Sequence, residues 1–287
     1  MPTTLESSRP DSSIEDEMEL SHEVRYVEPM FEVFSIQIRN FFGDLYGTIT
    51  VRDSCGTQYL YQTEREEYQS IRPGNTAFLL TGPARGITAL DDVAFHVDLM
   101  DKESDKPLLR AGLMEWSPGF HRHNMYNKPT YEDIYDYDED GGACCLDPHD
   151  DGEVSVRVNY MVSKDAVEAT LEVTLIIGDG EEDSAHVYGM ITARNSNFPD
   201  ESLLFQKEWN ERVDVKAGQP IPLSRSVVAI PFNSSLIVRA DLFDYDDANV
   251  IVKDSVQLPA KLSGTSEERM YGQRGEIRVN VTFRDDI

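Results

Sequence analysis

Tyr46-Gly-Thr-Ile-Thr-Val-Arg-Asp-Ser54 and Tyr188-Gly-Met-Ile-Thr-Ala-Arg-Asn-Ser196 are one motif written twice, 142 positions apart. Further matches follow at nearly the same spacing. Gly74-Asn-Thr-Ala-Phe-Leu-Leu answers Gly218-Gln-Pro-Ile-Pro-Leu, Asp98-Leu-Met-Asp answers Asp241-Leu-Phe-Asp, and Leu108–Trp116 answers Val250–Leu258. Each half closes on a similar run, Gly152-Glu-Val-Ser-Val-Arg-Val and Gly275-Glu-Ile-Arg-Val-Asn-Val. Several motifs in register are the mark of a duplication. The closing runs are only 123 positions apart, so the first half carries an insertion of about twenty residues, near 131–150.

Within the repeated stretches, apolar residues alternate with period two. Phe31-Glu-Val-Phe-Ser-Ile-Gln-Ile sets Phe31, Val33 and Ser35 on one face and Phe34, Ile36 and Ile38 on the other. Tyr46–Val51, Ala77–Leu80, Val93–Leu99, Val154–Tyr160, Leu171–Ile177, Leu236–Leu242 and Ile277–Phe283 are strand-like, rich in β-branched and aromatic residues. Turn clusters such as Arg72-Pro-Gly-Asn and Asn195-Ser-Asn-Phe-Pro-Asp separate them. The fold class expected is all-β: two tandem β-sandwich repeats over 31–162 and 167–287, behind an acidic disordered arm over 1–30. The repeated motif has a structural explanation. Tyr-Gly opens a strand whose next apolar residues face the core, and Asp53 or Asn195 turns the chain by bonding its own backbone.

The 287 residues include 53 acidic and 26 basic side chains, for a net charge of −27, with 40% hydrophobic residues. That apolar share suffices for a core. Eight acidic groups lie in residues 1–30 and ten in 131–153, so these two stretches hold most of the excess. Such a surface repels phosphate backbones, and no basic stripe compensates, which excludes direct nucleic-acid binding. No apolar run approaches a membrane span, and the N-terminus has no secretory core. Three cysteines (Cys55, Cys144, Cys145) make no disulfide framework and place the chain in the reducing cytosol, with access to the nucleus.

Phe31-Glu-Val-Phe-Ser-Ile, the Tyr46 motif, Phe78-Leu-Leu-Thr-Gly-Pro-Ala-Arg-Gly-Ile and Phe95-His-Val-Asp-Leu occur in that order. Together they resemble a family of the grasses, best known from the C-terminal region of jasmonate-induced sixty-kilodalton proteins. The N-terminal part of those proteins is a ribosome-inactivating domain. The resemblance covers about 31–287 and implies a plant stress or defence setting for a domain without an assigned catalytic role. A ribosome- or translation-associated role is implied only through the fusion partner. The nearest candidate for toxin chemistry, Glu64-Arg-Glu-Glu-Tyr-Gln-Ser-Ile-Arg72, lacks the one-turn Glu–Arg spacing.

The acidic insertion carries the sharpest chemical pattern. Asp136, Asp138 and Asp140 precede Gly141, with Asp147 eleven residues after Asp136, in the manner of a loop that converges carboxylates on calcium. Tyr131, Tyr135 and Tyr137 interleave with these acids as an interaction surface for a basic protein partner. A second metal candidate is Asp241, Asp244 and Asp246 at the end of a strand, answered by Asp98, Asp101 and Asp105 in the first repeat. The C2 class of calcium-dependent lipid-binding sandwiches is similar in placing Asp-x-Asp there. His121, His123 and His149 with Cys144 or Cys145 form a weaker zinc pattern. No Gly-x-Ser-x-Gly, His-Glu-x-x-His or Walker loop is present. The reading is a non-enzymatic interaction module without a cofactor, with a calcium-binding, C2-like module as the alternative.

Overall fold

A computed structural model describes residues 27–118, 126–134, 153–177, 184–246, 249–272 and 275–285. The first repeat contains β1 (Met30–Arg39), β2 (Gly43–Asp53), β3 (Gly56–Thr63), β4 (Gln69–Ile71), β5 (Ile87–Thr88), β6 (Val93–Asp101), β7 (Lys106–Trp116), β8 (Thr130–Ile134) and β9 (Ser155–Ser163). The second contains β10 (Ala166–Ile177), β11 (Ser184–Asn195), β12 (Ser202–Lys207), β13 (Val213–Lys216), β14 (Val227–Pro231), β15 (Ser235–Asp244), β16 (Val250–Pro259), β17 (Gly264–Tyr271) and β18 (Gly275–Arg284). All named strand pairs are antiparallel.

Among the described residues these strands form four sheets, two per repeat. In the first repeat β5-β1-β9-β8 faces β3-β2-β6-β7, and in the second β14-β10-β18-β17 faces β12-β11-β15-β16. Each pair encloses its own core, as expected of a sandwich. Phe31, Ile49, Phe95, Trp116 and Tyr160 belong to the first, and Val173, Ile191, Phe205, Leu242 and Phe283 to the second. The chain is all-β with two sandwich repeats, in line with the sequence reading.

The Tyr-Gly motif recurs because of the backbone it requires. Gly47 and Gly189 have φ of 132° and 122°, a region L side chains rarely adopt. A Cβ on Gly47 would lie 2.2 Å from the Asp98 carbonyl oxygen, and one on Gly189 would lie 2.1 Å from that of Asp241. The glycines therefore admit β6 and β15 at close range, and the matched Asp-Leu motifs are the strands so admitted. The turn reading also holds: Cys55 N–H donates to Asp53 Oδ1 and Asn197 N–H to Asn195 Oδ1, each at 3.0 Å.

Three local expectations need correction. Tyr-Gly does not open its strand: β2 starts at Gly43 and β11 at Ser184, so the motif lies within each. Strict alternation along Phe31–Ile38 fails because the register of β1 against β9 shifts between Val33 and Ser35. That bulge puts Phe31, Val33, Ile36 and Ile38 together in the core, and leaves buried Phe34 on the other side, against Ala193 and Val228 of the second repeat. Ala77–Leu80 is extended but not a strand. It meets β1 through one bridge at Gln37 and the bond from Phe78 N–H to Ile36 O, while Phe78 and Leu80 anchor it in the core.

Candidate functional site

Only Lys164 and Asp165 separate β9 from β10, so the two sandwiches sit side by side. A polar network crosses the seam. Glu32, on β1 and buried, accepts from the Arg225 guanidinium, from Ser202 Oγ and, at 2.6 Å, from Ala229 N–H. Arg225 is also buried and donates to the Val33 and Val227 carbonyls. Burial pushes the Glu32 carboxyl up from its ordinary value, while the charge of Arg225 and the bonds from Ser202 and Ala229 pull it back. Glu168, on β10, accepts from Gly86 N–H of the first repeat at 2.7 Å. Met30, Ala166 and Ala229 close the seam with a small apolar contact.

Tyr131 lies along this seam on β8. It is 58% exposed, and its hydroxyl donates to Asp200 of the second repeat, which also accepts from Asn159. Tyr135 and Tyr137 lie outside the described residues, as do Asp136, Asp138, Asp140 and Asp147, His121, His123, His149, Cys144 and Cys145. Cys55 is a free, exposed thiol.

At one end of the second sandwich the structure brings Asp244 and Asp246 together with His186. One ligand atom from each lies within 4.8 Å of the others. His186, near the start of β11, is bonded through Nδ1 to Asp246, and its Nε2 lies 3.1 Å from Asp214 on β13. The bond to Asp246 and the two carboxylate charges hold the imidazole pKa above its usual value, against Arg212. Asp241 takes no part: Arg239 and, at 3.7 Å, Lys253 hold it. His186 was not legible as a ligand in the sequence. It gains meaning only from β11 pairing with β13 opposite Asp214, and with β15 near its Asp244 end.

Aromatic groups border this cluster. Trp209, in the loop after β12, is 59% exposed and stacks on Tyr245 with ring centroids 6.4 Å apart and planes 7° apart. The Arg212 guanidinium carbon lies 3.7 Å from the centre of the Tyr245 ring. The strand registers set Asp44 of the first repeat in the place of His186, Ser70 in that of Asp214, and Asp101 in that of Asp244. At that end Ser70 donates to Asp44 at 2.6 Å, and Lys102 lies over the Tyr68 ring. Asp101 accepts from Ser104 N–H at 2.6 Å, and this bond holds its carboxyl below the usual range.

Residues 30–281 match one domain family, DUF6598, a domain of unknown function. The chain belongs to that family. A single family match covers both repeats, so the duplicated pair is the unit the family describes. No curated protein matches the sequence. Among solved structures, the chain is similar to a structure of extended synaptotagmin 2 that holds its SMP domain and two C2 domains, at 7% identity and a TM-score of 0.25. That match covers 91% of this chain and 58% of the other. Human GIVD cytosolic phospholipase A2, solved with methyl gamma-linolenyl fluorophosphonate and terbium chloride, matches at 8% identity and a TM-score of 0.25, covering 90% of this chain and 32% of that one. The chain thus spans less than two thirds of either, and likeness at this level carries no argument about chemistry. No helix among the described residues is long and apolar enough to cross a membrane.

Proposed function

We propose that this DUF6598 chain is a non-enzymatic protein-interaction module whose acidic surface, bearing exposed aromatic rings, docks a basic partner protein. The observation that carries the reading is the buried Glu32–Arg225 network, which joins two sandwiches into one platform on which Tyr131 and Trp209 are exposed. Aromatic residues set among carboxylates supply contact area and steer a basic partner by charge. The charge of the 131–153 segment supports the same partner class, and so does the absence of a catalytic motif from the sequence. The resemblance to the grass family supports a stress or defence role, while the cysteine usage supports the cytosol and the acidic charge argues against nucleic-acid binding.

The test is titration of the protein with a labelled peptide of alternating glycine and arginine, followed by fluorescence anisotropy at about 150 mM salt. One-to-one saturable binding is expected, and an uncharged peptide of the same length should not bind. No binding at this salt would overturn the reading.

A second reading is a divalent-metal module, and the approach of His186, Asp244 and Asp246 favours it. The imidazole changes which metal the donor set suits: a histidine ligand fits zinc better than calcium, which prefers oxygen alone. Asp214 would then orient the ring from its other nitrogen. Thermal unfolding with zinc, with calcium and with chelator tests it. A metal at a hundredfold excess over Kd stabilises by about 2.7 kcal/mol, and Asp244→Ala should abolish the shift.

A further inference from the structure

The two ends of the duplicated fold treat aromatic rings and cations in the same way with exchanged partners. In the first repeat the ring is Tyr68 and the cation Lys102; in the second the cation is Arg212 and the ring Tyr245. The pairings of β2 with β4 and of β11 with β13 set Tyr68 and Arg212 at matching positions, and those of β2 with β6 and β11 with β15 do the same for Lys102 and Tyr245. A ring that holds a cation is therefore a feature of this end of the sandwich, whichever strand supplies it.

The ends differ one step further out. The position of Trp209 is filled in the first repeat by Arg65, which lies 3.3 Å from Asp105 and donates to the Lys102 carbonyl. The first end thus carries its own second cation. The second end carries an exposed indole in that place, stacked on a ring that already bears a guanidinium. Glu208, Glu211 and Asp214 are exposed nearby, beside Asp244 and Asp246.

We propose that the Trp209–Tyr245 platform is the docking site for an arginine side chain in a basic segment of the partner protein. The inference rests on the interaction reading above and names where that partner is held. An indole face attracts a planar guanidinium through its quadrupole and by stacking, and the surrounding carboxylates add charge complementarity. Arg212 on Tyr245 displays the same contact within the chain. Lysine lacks the planar group, so the site favours arginine.

Trp209 is its own reporter, because the only other tryptophan, Trp116, is buried. The glycine–arginine peptide is titrated against tryptophan emission and anisotropy, beside a glycine–lysine peptide of equal length. The expected result is a saturable change in Trp209 emission, with the arginine peptide bound more tightly than the lysine peptide. Trp209→Ala should weaken binding about tenfold and Trp209→Phe should restore part of it. Asp246→Asn should weaken it less, and circular dichroism confirms that each variant folds. Unchanged affinity in Trp209→Ala, or equal affinity for the two peptides, overturns the inference. If affinity survives Trp209→Ala but is lost when Asp136, Asp138, Asp140 and Asp147 are changed to Asn, the interaction reading stands and the partner is held by the insertion instead. If the peptide does not bind the wild-type protein at all, both fail.

Discussion

Glu32 and Glu168 occupy matching places in the two repeats, and their surroundings differ. Each lies on the first strand of its sandwich and accepts a backbone N–H from the other repeat, Ala229 for Glu32 and Gly86 for Glu168. The pairings of β1 with β5 and of β10 with β14 put Gly86 and Ala229 in register with one another, so the hook is reciprocal. Of the two, Glu32 alone also receives a buried guanidinium, from Arg225, whose counterpart by the same register is Gly82. Backbone geometry repeats with the fold, whereas a buried ion pair depends on one residue in one copy.

The two glutamates should differ most in the variant Arg225→Met. It leaves the Glu32 carboxylate buried without its cation, which should destabilise the protein by about 3–5 kcal/mol in denaturant unfolding at neutral pH. The sign of the pH dependence follows from Glu32. Burial raises its folded pKa above the unfolded value, and losing Arg225 removes the charge that opposes the shift, so taking up a proton stabilises the folded variant relative to the unfolded chain. Stability in the variant should therefore recover as pH falls through the raised folded value towards the unfolded glutamate value of about 4.3. Adding Glu32→Gln removes the buried charge and keeps an acceptor for Ala229, so the double variant should regain most of the loss. A double variant no better than Arg225→Met alone would show that Arg225 acts through packing.

At the matched glycines the two repeats should respond alike. Gly47→Ala and Gly189→Ala each force a side chain into a positive-φ position against a carbonyl oxygen of the paired strand. Each should cost about 2–4 kcal/mol. A tolerated alanine in one repeat would mean that its two strands can separate. Glu168→Ala should have a smaller effect, about 1–3 kcal/mol, by leaving the Gly86 N–H without its acceptor. A loss as large as that of Arg225→Met would place more of the seam's stability on the second glutamate than its contacts suggest.

What the sequence made legible follows from the range of each constraint. Tyr-Gly and the Asp53 and Asn195 turns act through the local backbone or one neighbouring strand, so they recur as readable motifs. The bulge in β1 was invisible, because Phe34 continues the apolar alternation while facing the other repeat instead of its own core. Ala77–Leu80 has strand composition, but its apolar side chains anchor a connection to the core. The seam is the clearest loss. Glu32 falls where a half-solvated strand carries polar residues, and its partner is 193 positions away. One signal was present: Glu32 interrupts Met30-Phe-Glu-Val-Phe34, an otherwise apolar run. In the candidate site Asp244 and Asp246 were legible as a strand-end pair, whereas His186 needed the sheet to bring it there.

The two sandwich ends should differ in the titration of one imidazole. The bond to Asp246, with the charges of Asp246 and Asp214, raises the His186 pKa above its usual 6.5. The imidazolium is then favoured in the folded state. Its contribution to stability is fully present below the unfolded value, about 6.5, and is lost as pH rises through the higher folded value. Because the ring is partly exposed, the direct readout is its own titration, followed by NMR and assigned by the resonance missing from His186→Gln. Asp246→Asn should lower the midpoint by removing both the bond and a charge. Asp44→His places an imidazole at the matching position in the first repeat, where Ser70 stands in place of Asp214. Its midpoint should fall below that of His186. Equal midpoints would assign the shift to the net negative charge common to both ends, and the pairing of His186 with its two aspartates would lose its distinction.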